Sequence, residues 1–95
     1  MTDREALIQK MKAQLDEWQA EIDKLTAKAE QAEASAKMRY QEQIDTLKQH
    51  QEEGRKKLRE MQESSENAWH EMRERMEAAW DDLAQGFKAA MNRFR

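Results

Sequence analysis

The chain has 95 residues and a net charge of -3, with 39% charged and 38% hydrophobic residues and with neither proline nor cysteine. A chain of this length forms at most one small domain, and a charge-rich composition without proline is typical of long helices and coiled coils. Because positive and negative residues are interleaved throughout, we expect no nucleic-acid partner, and the lack of cysteine excludes disulfides and thiolate metal sites.

The first twelve residues are polar and charged where a secretion signal would have an apolar run. No apolar run approaches the roughly 20 residues that are needed to span a bilayer. We therefore expect a cytoplasmic protein that forms a single helical coiled-coil unit over residues 1–95.

The first segment of that unit, residues 3–36, has the apolar spacing of a heptad repeat. Thr2 and Glu5 have the spacing of a capping box, so the helix is predicted to begin there. The apolar positions then alternate at intervals of three and four residues, as in a left-handed coiled coil. The large side chains are Ile8, Met11, Leu15, Trp18, Ile22 and Leu25, and the later positions are Ala29, Ala32 and Ala36. We expect these alanines to receive the bulky side chains of Trp69, Met72, Met76 and Trp80.

The second segment, residues 37–65, is predicted to pack most weakly on a partner helix. Three of its heptad positions have no large apolar side chain, and these are Gln51, Gly54 and Ser65. A break at Gly54 would place acidic residues at a helix C-terminus and basic residues at the next N-terminus, against the helix dipole. We therefore predict that the helix continues through Gly54. A kink is predicted between Ser64 and Asn67, because serine is a good N-cap residue.

The third segment, residues 66–95, repeats every eleven residues. This period corresponds to about 3.67 residues per turn, so the apolar side chains form a nearly straight stripe along one helix face. An isolated helix would expose this stripe, and we therefore expect a partner to cover it. Its members are Trp69, Met72, Met76, Trp80, Leu83, Phe87, Met91 and Phe94.

These segments predict an all-α protein in which one long amphipathic helix forms a coiled coil or an antiparallel helical bundle by self-association. The predicted partner is a second copy, in a homodimer or tetramer, with another helical protein as the alternative. A hairpin folded at residues 50–55 remains open, and two antiparallel chains would align the same residues. The aligned pairs would be Ile8 with Phe94, Leu15 with Phe87, Ile22 with Trp80 and Ala29 with Met72. We also expect Trp80 to contribute more stability than Trp18, whose neighbours form a narrower seam.

The predicted function is that of a structural or interaction protein, with no catalytic residues, cofactor or metal. No serine, histidine and acid are arranged for nucleophilic catalysis, and there is no glycine-rich phosphate loop. One alternative is that the segment from Trp69 to Phe94 binds a lipid or membrane surface. A remote alternative is metal binding inside a helical bundle. Its candidate ligands are Met72 and Met76 with Trp69 and Trp80 for copper, and Glu66, His70 and Glu74, spaced four apart, for a divalent ion.

Two resemblances accompany the third segment. Ala68–Trp69, Ala79–Trp80 with the following Asp-Asp-Leu, and the Phe-Lys-Ala-Ala run at residues 87–90 resemble small uncharacterised bacterial coiled-coil proteins. The eleven-residue repeat of this C-terminal third is similar to that of exchangeable apolipoproteins. The first resemblance implies a helical, self-packing chain and the second a lipid-facing helix; neither supplies catalytic or ligand residues.

Overall fold

The computed structural model describes residues 2–93, and this part of the chain forms three α-helices and no strand. The helices are α1 (Asp3–Glu30), α2 (Ala34–Glu63) and α3 (Glu66–Asn92). They pack side by side into a bundle whose Cα atoms extend over 52 × 18 × 17 Å. The all-α prediction is therefore confirmed, but the single long helix is wrong, because the chain reverses direction twice.

The start of α1 follows the sequence prediction. The Thr2 hydroxyl accepts a hydrogen bond from the Glu5 amide at 3.1 Å, so Thr2 is the N-cap. Asp3 and Glu5 lie in the first turn and Lys28 in the last, where each charge is favourable to the helix dipole.

The turn between α1 and α2 has no counterpart in the prediction, which placed residues 3–36 on one helix. α1 ends at Glu30, and the Gln31 amide donates to the carbonyls of Lys28 and Ala29. Glu33 precedes α2 in an extended conformation and provides no side-chain cap. Ala32 is only half-buried, so the alanine run has little apolar surface with which tertiary packing could hold a continuing helix.

The turn between α2 and α3 lies where the kink was predicted, but it reverses the chain completely. Ser64 and Ser65 are extended, and the Ser65 hydroxyl accepts from the Ala68 amide at 3.1 Å as the N-cap of α3. Glu66 follows in the first turn. α2 continues through Gly54, as the charge argument predicted.

Apolar side chains from α1, α2 and α3 form one core along the bundle axis. Among residues 2–93, Met38 is the one large apolar residue that is exposed, at 70%. The apolar area of the described chain therefore lies between the helices. The core residues are Leu7, Met11, Leu15, Trp18, Ile22, Leu25, Ala29, Ile44, Leu47, Met61, Trp69, Met76, Trp80, Leu83, Phe87 and Ala90.

α1 and α3 run parallel to each other, and both run antiparallel to α2. Asp3 pairs with Arg73, and Trp18 packs on Trp80 and Phe87, so residue numbers rise together along the two helices. The antiparallel alignment of the first and third segments that a hairpin at residues 50–55 would produce is therefore not formed within the chain. α2, predicted to be the weakest seam, packs closely on both other helices, whereas α1 and α3 approach each other less closely. No helix within residues 2–93 combines the length and apolarity needed to cross a membrane.

Candidate functional site

The side chains of the predicted interaction stripe lie inside a single chain. Met11, Leu15, Trp18, Ile22, Leu25, Trp69, Met76, Trp80, Leu83 and Phe87 are buried, while Ile8, Met72 and Met91 are partly buried against them. Phe94 lies outside the described residues. The bundle covers these side chains by its own folding, so the exposed stripe from which self-association was inferred does not exist in the closed chain. Self-association itself stays a prediction.

Three aromatic rings stack in the middle of this core. The Trp18 ring centroid lies 5.2 Å from that of Trp80, with an interplanar angle of 7°, and 4.6 Å from that of Phe87, with an angle of 9°. Each aromatic contact adds about 0.5–1.5 kcal/mol to the free energy gained from burial. Because Trp18 makes both contacts, it is the centre of the stack.

Gly54 provides the space for this stack. A Cβ atom at Gly54 would lie 3.0 Å from Leu15 Cδ2, 3.2 Å from Trp18 Cζ3 and 3.2 Å from Trp80 Cζ3. The residue that receives the indole of Trp80 is therefore a glycine of α2, and the expectation that Ala29, Ala32 and Ala36 receive it is wrong. The sequence places Gly54 at a heptad position, but only the folded structure shows which side chains lie opposite it.

Polar side chains fix how the helices are aligned around the stack. The Trp80 indole N–H donates to Gln14 Oε1, which joins α3 to α1. Gln51 is buried in α2, and its Nε2 donates to Gln19 Oε1 of α1 at 2.7 Å. Arg55 donates to the same oxygen at 3.3 Å. A shift of one helix along another would leave the buried Gln51 amide and Trp80 indole N–H without these partners, so the two hydrogen bonds favour one alignment.

Gln43 ties α2 to the far end of α3. Its side chain is 2% exposed, and its Nε2 donates to the carbonyls of Ala90 at 3.2 Å and Met91 at 3.4 Å. Its Oε1 is buried without a hydrogen-bond partner among residues 2–93. These two carbonyls lie in the last turn of α3.

The opposite end of the bundle is held by Arg4, a residue to which the sequence prediction assigned no role. Its Nη2 donates to the carbonyls of Met61 at 2.9 Å, Gln62 at 3.0 Å and Ser64 at 2.7 Å. These carbonyls end α2, where the helix leaves its acceptors unpaired and carries a partial negative charge. The guanidinium of α1 thus caps the C-terminus of α2.

Asp3, the residue before Arg4, connects α1 to α3. Asp3 forms an ion pair with Arg73 of α3 at 3.0 Å, and Arg73 also lies 3.7 Å from Glu77. Ser64 closes the turn itself by donating from Oγ to the Met61 carbonyl at 2.8 Å. The first turn of α1 therefore contacts the end of α2 and the first half of α3 at once.

Between α1 and α3 the wider spacing leaves an open cleft of about 370 Å³. Its floor includes buried Leu7 and the nearly inaccessible edge of Trp80, and its rim carries charges of both signs. The cleft therefore has a narrow apolar floor and a rim of mixed charge. Its lining residues are Asp3, Ala6, Leu7, Lys10, Arg73, Glu77, Trp80 and Asp81.

The two sets of candidate metal ligands lie on different faces of α3. Glu66, His70 and Glu74 lie on the exposed face of α3. Within residues 2–93, no group of three histidine, aspartate or glutamate side chains is placed to hold a metal ion. Met76 is buried with the indoles, and Met72 is partly buried beside it, so these thioethers serve as core side chains.

Sequence reasoning found the apolar residues of this core but missed Arg4, Gln43 and the space at Gly54. An arginine or a glutamine that binds helix-end carbonyls of a distant segment has no local pattern, so only the folded arrangement identifies it. Comparisons with protein-family models, with curated proteins and with solved structures found no match to this chain.

Proposed function

We propose that the protein is a structural interaction protein that associates with a second copy of itself through the apolar surface between its helices. The observation that carries this proposal is the distribution of apolar area. Apart from Met38, the large apolar side chains of residues 2–93 face the interior of the bundle. A stable partner of this chain therefore binds most strongly where the helices themselves now pack.

The partner of that surface has to match its shape. The face of α1 and α2 that receives α3 presents Trp18 beside the gap at Gly54, and α3 fills it with Trp80 and Phe87. A second copy carries a helix with the same side chains at the same spacing. Of all partners, another copy is the one whose complementarity is already built into the sequence.

A dimer follows from the symmetry of such an association. When two chains exchange one helix reciprocally, the contact closes about a two-fold axis and leaves no surface for a third chain. We therefore favour the homodimer over the tetramer.

The test is the molar mass of the purified protein measured by light scattering after size exclusion, from micromolar to millimolar concentration. We expect a concentration-dependent shift from monomer to dimer. A Met38→Lys variant is the matched control, since it removes the exposed apolar side chain on α2 and should leave the shift unchanged. A monomer at every concentration would contradict the proposal, and loss of the dimer in Met38→Lys would move the contact to the outer surface.

A lipid surface is the second candidate for the same apolar face. α3 carries Trp69, Trp80 and Phe87 on one side, and its looser approach to α1 makes that seam the place where the bundle would open. An opened α3 is an amphipathic helix of the kind that lies in a membrane interface. The response of tryptophan emission to anionic vesicles separates this candidate from the dimer.

A further inference from the structure

We propose that the turn at Ser64 and Ser65 is a hinge that Arg4 holds closed, and that its opening lets two chains exchange their α3 helices. This inference rests on the proposed self-association and specifies how it occurs. In the exchanged dimer, α2 and α3 of each chain form one continuous helix, and each α3 packs on the α1 and α2 of the other chain.

The backbone of the turn is extended at Ser64 and Ser65, but the φ angles of both residues already match those of a helix. Ser64 has φ -68° and ψ 144°, and Ser65 has φ -70° and ψ 165°. Helical residues have φ near -63° and ψ near -42°, so the ψ angles of two residues separate the turn from a continuous helix. Neither residue is glycine or proline, and no residue within 2–93 has a positive φ. Both conformations are therefore sterically open to this segment.

Arg4 distinguishes between the two conformations. The carbonyls of Met61, Gln62 and Ser64 bind the guanidinium because α2 ends at Glu63 and no following amide reaches them. In a continuous helix the same carbonyls would accept from the amides four residues further along. The bonds from Arg4 thus stabilise the closed turn and have no counterpart in the open one, which is what a conformational latch requires.

Acidic residues beside the hinge also favour the closed form. Glu60, Glu63 and Glu66 are three residues apart, so a continuous helix would place their like charges on neighbouring positions of one face. In the closed bundle the reversal between α2 and α3 separates Glu66 from that helical series. The closed chain is therefore the expected resting state.

The exchange preserves the core. α3 runs antiparallel to α2, so a straightened α2–α3 helix carries α3 past the end of its own bundle, where a second chain related by a two-fold axis can receive it. The stack of Trp80 on Trp18 and the fit of Trp80 against Gly54 then form between chains instead of within one. Two bundles lie end to end, with both hinges at the centre.

The first experiment removes the latch with Arg4→Met, which keeps an apolar stem and deletes the guanidinium. We expect the dimer dissociation constant, measured by light scattering after size exclusion, to fall at least tenfold relative to the unchanged chain. The matched control is Arg39→Met, which makes the same chemical change at an exposed position of α2. An unchanged dissociation constant in a folded Arg4→Met protein would overturn the role of Arg4.

The second experiment locks the hinge with Glu66→Pro. Glu66 is the first residue of α3, where proline is well tolerated, and the preceding Ser65 already has the extended backbone that proline demands. Proline there prevents a continuous helix while leaving the closed bundle intact. We expect this single change to abolish dimers in the otherwise unchanged chain and in Arg4→Met; persistent dimers would overturn the hinge even if Arg4→Met fails to fold.

The third experiment identifies which chains are paired. Because the protein has no cysteine, Asp3→Cys with Arg73→Cys places thiols at an α1–α3 contact, and a short bis-maleimide can join them. In dimers isolated from this variant, exchange predicts covalent dimers on a denaturing gel. Dimers that yield only linked monomers would overturn the exchange and leave the proposed self-association standing, whereas a failure of the proposed function would give no dimer at all.

Discussion

Gly54 and Gly86 sit in the interiors of α2 and α3, and their different surroundings give opposite predictions for the same substitution. At Gly54 a Cβ would meet the rings of Trp18 and Trp80 at 3.2 Å and Leu15 at 3.0 Å. At Gly86 it would meet His50 Cε1 at 3.1 Å, the end of a half-buried side chain that can rotate away. An added Cβ atom displaces closely packed rings less easily than it displaces the end of one flexible side chain.

We therefore expect Gly54→Ala to lower the free energy of unfolding by about 1–3 kcal/mol through overpacking. Gly86→Ala, the matched control, should be neutral or raise that free energy by up to about 1 kcal/mol, since alanine favours the helix. Urea unfolding followed by circular dichroism measures both. If both variants were stabilised equally, the core around Gly54 would have enough space for an additional Cβ atom.

Trp18 is expected to contribute at least as much as Trp80, which reverses the expectation from sequence. Both indoles are buried, but Trp18 stacks on the rings of Trp80 and Phe87, whereas Trp80 stacks on the ring of Trp18. Trp18→Ala should lower the free energy of unfolding by about 3–5 kcal/mol. Trp80→Ala, measured in the same urea titration, is the comparison; a clearly smaller loss at position 18 would contradict the central place of Trp18.

At the scale of the helices, capping explains why one turn was predictable and the other was not. Thr2 and Ser65 accept hydrogen bonds from amides three residues ahead, and both residue types are recognisable N-caps in a sequence. Glu33 occupies the corresponding place before α2 without a side-chain cap bond. The first turn therefore carries no local signal and depends on how α1 and α2 pack.

An N-cap side chain introduced before α2 should stabilise the protein. Glu33 already has the extended backbone of an N-cap residue, with φ -66° and ψ 159°. Glu33→Ser should accept from an amide of the first turn and raise the free energy of unfolding by about 1 kcal/mol. Glu33→Ala makes the same charge change without a cap and serves as the control. Thermal or urea unfolding in which the two variants are equally stable would argue against a capping effect.

At the scale of the whole molecule, the accessibility of the indoles distinguishes a protein seam from a lipid face. Trp18, Trp69 and Trp80 are buried in the closed bundle. We expect tryptophan emission to be blue-shifted without lipid and unchanged on addition of anionic vesicles. Lipid binding would require α3 to leave the bundle, so it would shift the emission further.

Salt dependence provides the control for that measurement. Attraction between exposed cations and anionic lipid is screened beyond about 8 Å at physiological ionic strength. Saturable vesicle binding that weakens with salt, together with the further emission shift, would contradict a purely protein-packed core and favour the lipid alternative. Neutral vesicles give the baseline for non-electrostatic adsorption.

The sequence by itself determined the features that depend on near neighbours along the chain. The helical class, the N-cap at Thr2, the continuity of α2 through Gly54 and the position of the break before Glu66 follow from apolar spacing, capping chemistry and helix-dipole charges. The sequence predicted only a kink at that break and not a reversal of the chain. The apolar positions of the core were also recognisable, since their helical spacing places them on one face whatever they pack against.

Only the tertiary structure decided which faces meet. The reversal at residues 31–33 and the parallel course of α1 and α3 result from contacts between distant segments, such as Trp18 with Phe87. The space at Gly54 and the hydrogen bonds from Arg4 to the end of α2 also result from contacts between distant segments. Several pairings bury similar apolar area, because hydrophobic attraction is not directional. The choice among them therefore depends on side-chain volumes and on buried hydrogen bonds, which exist only once the helices are packed.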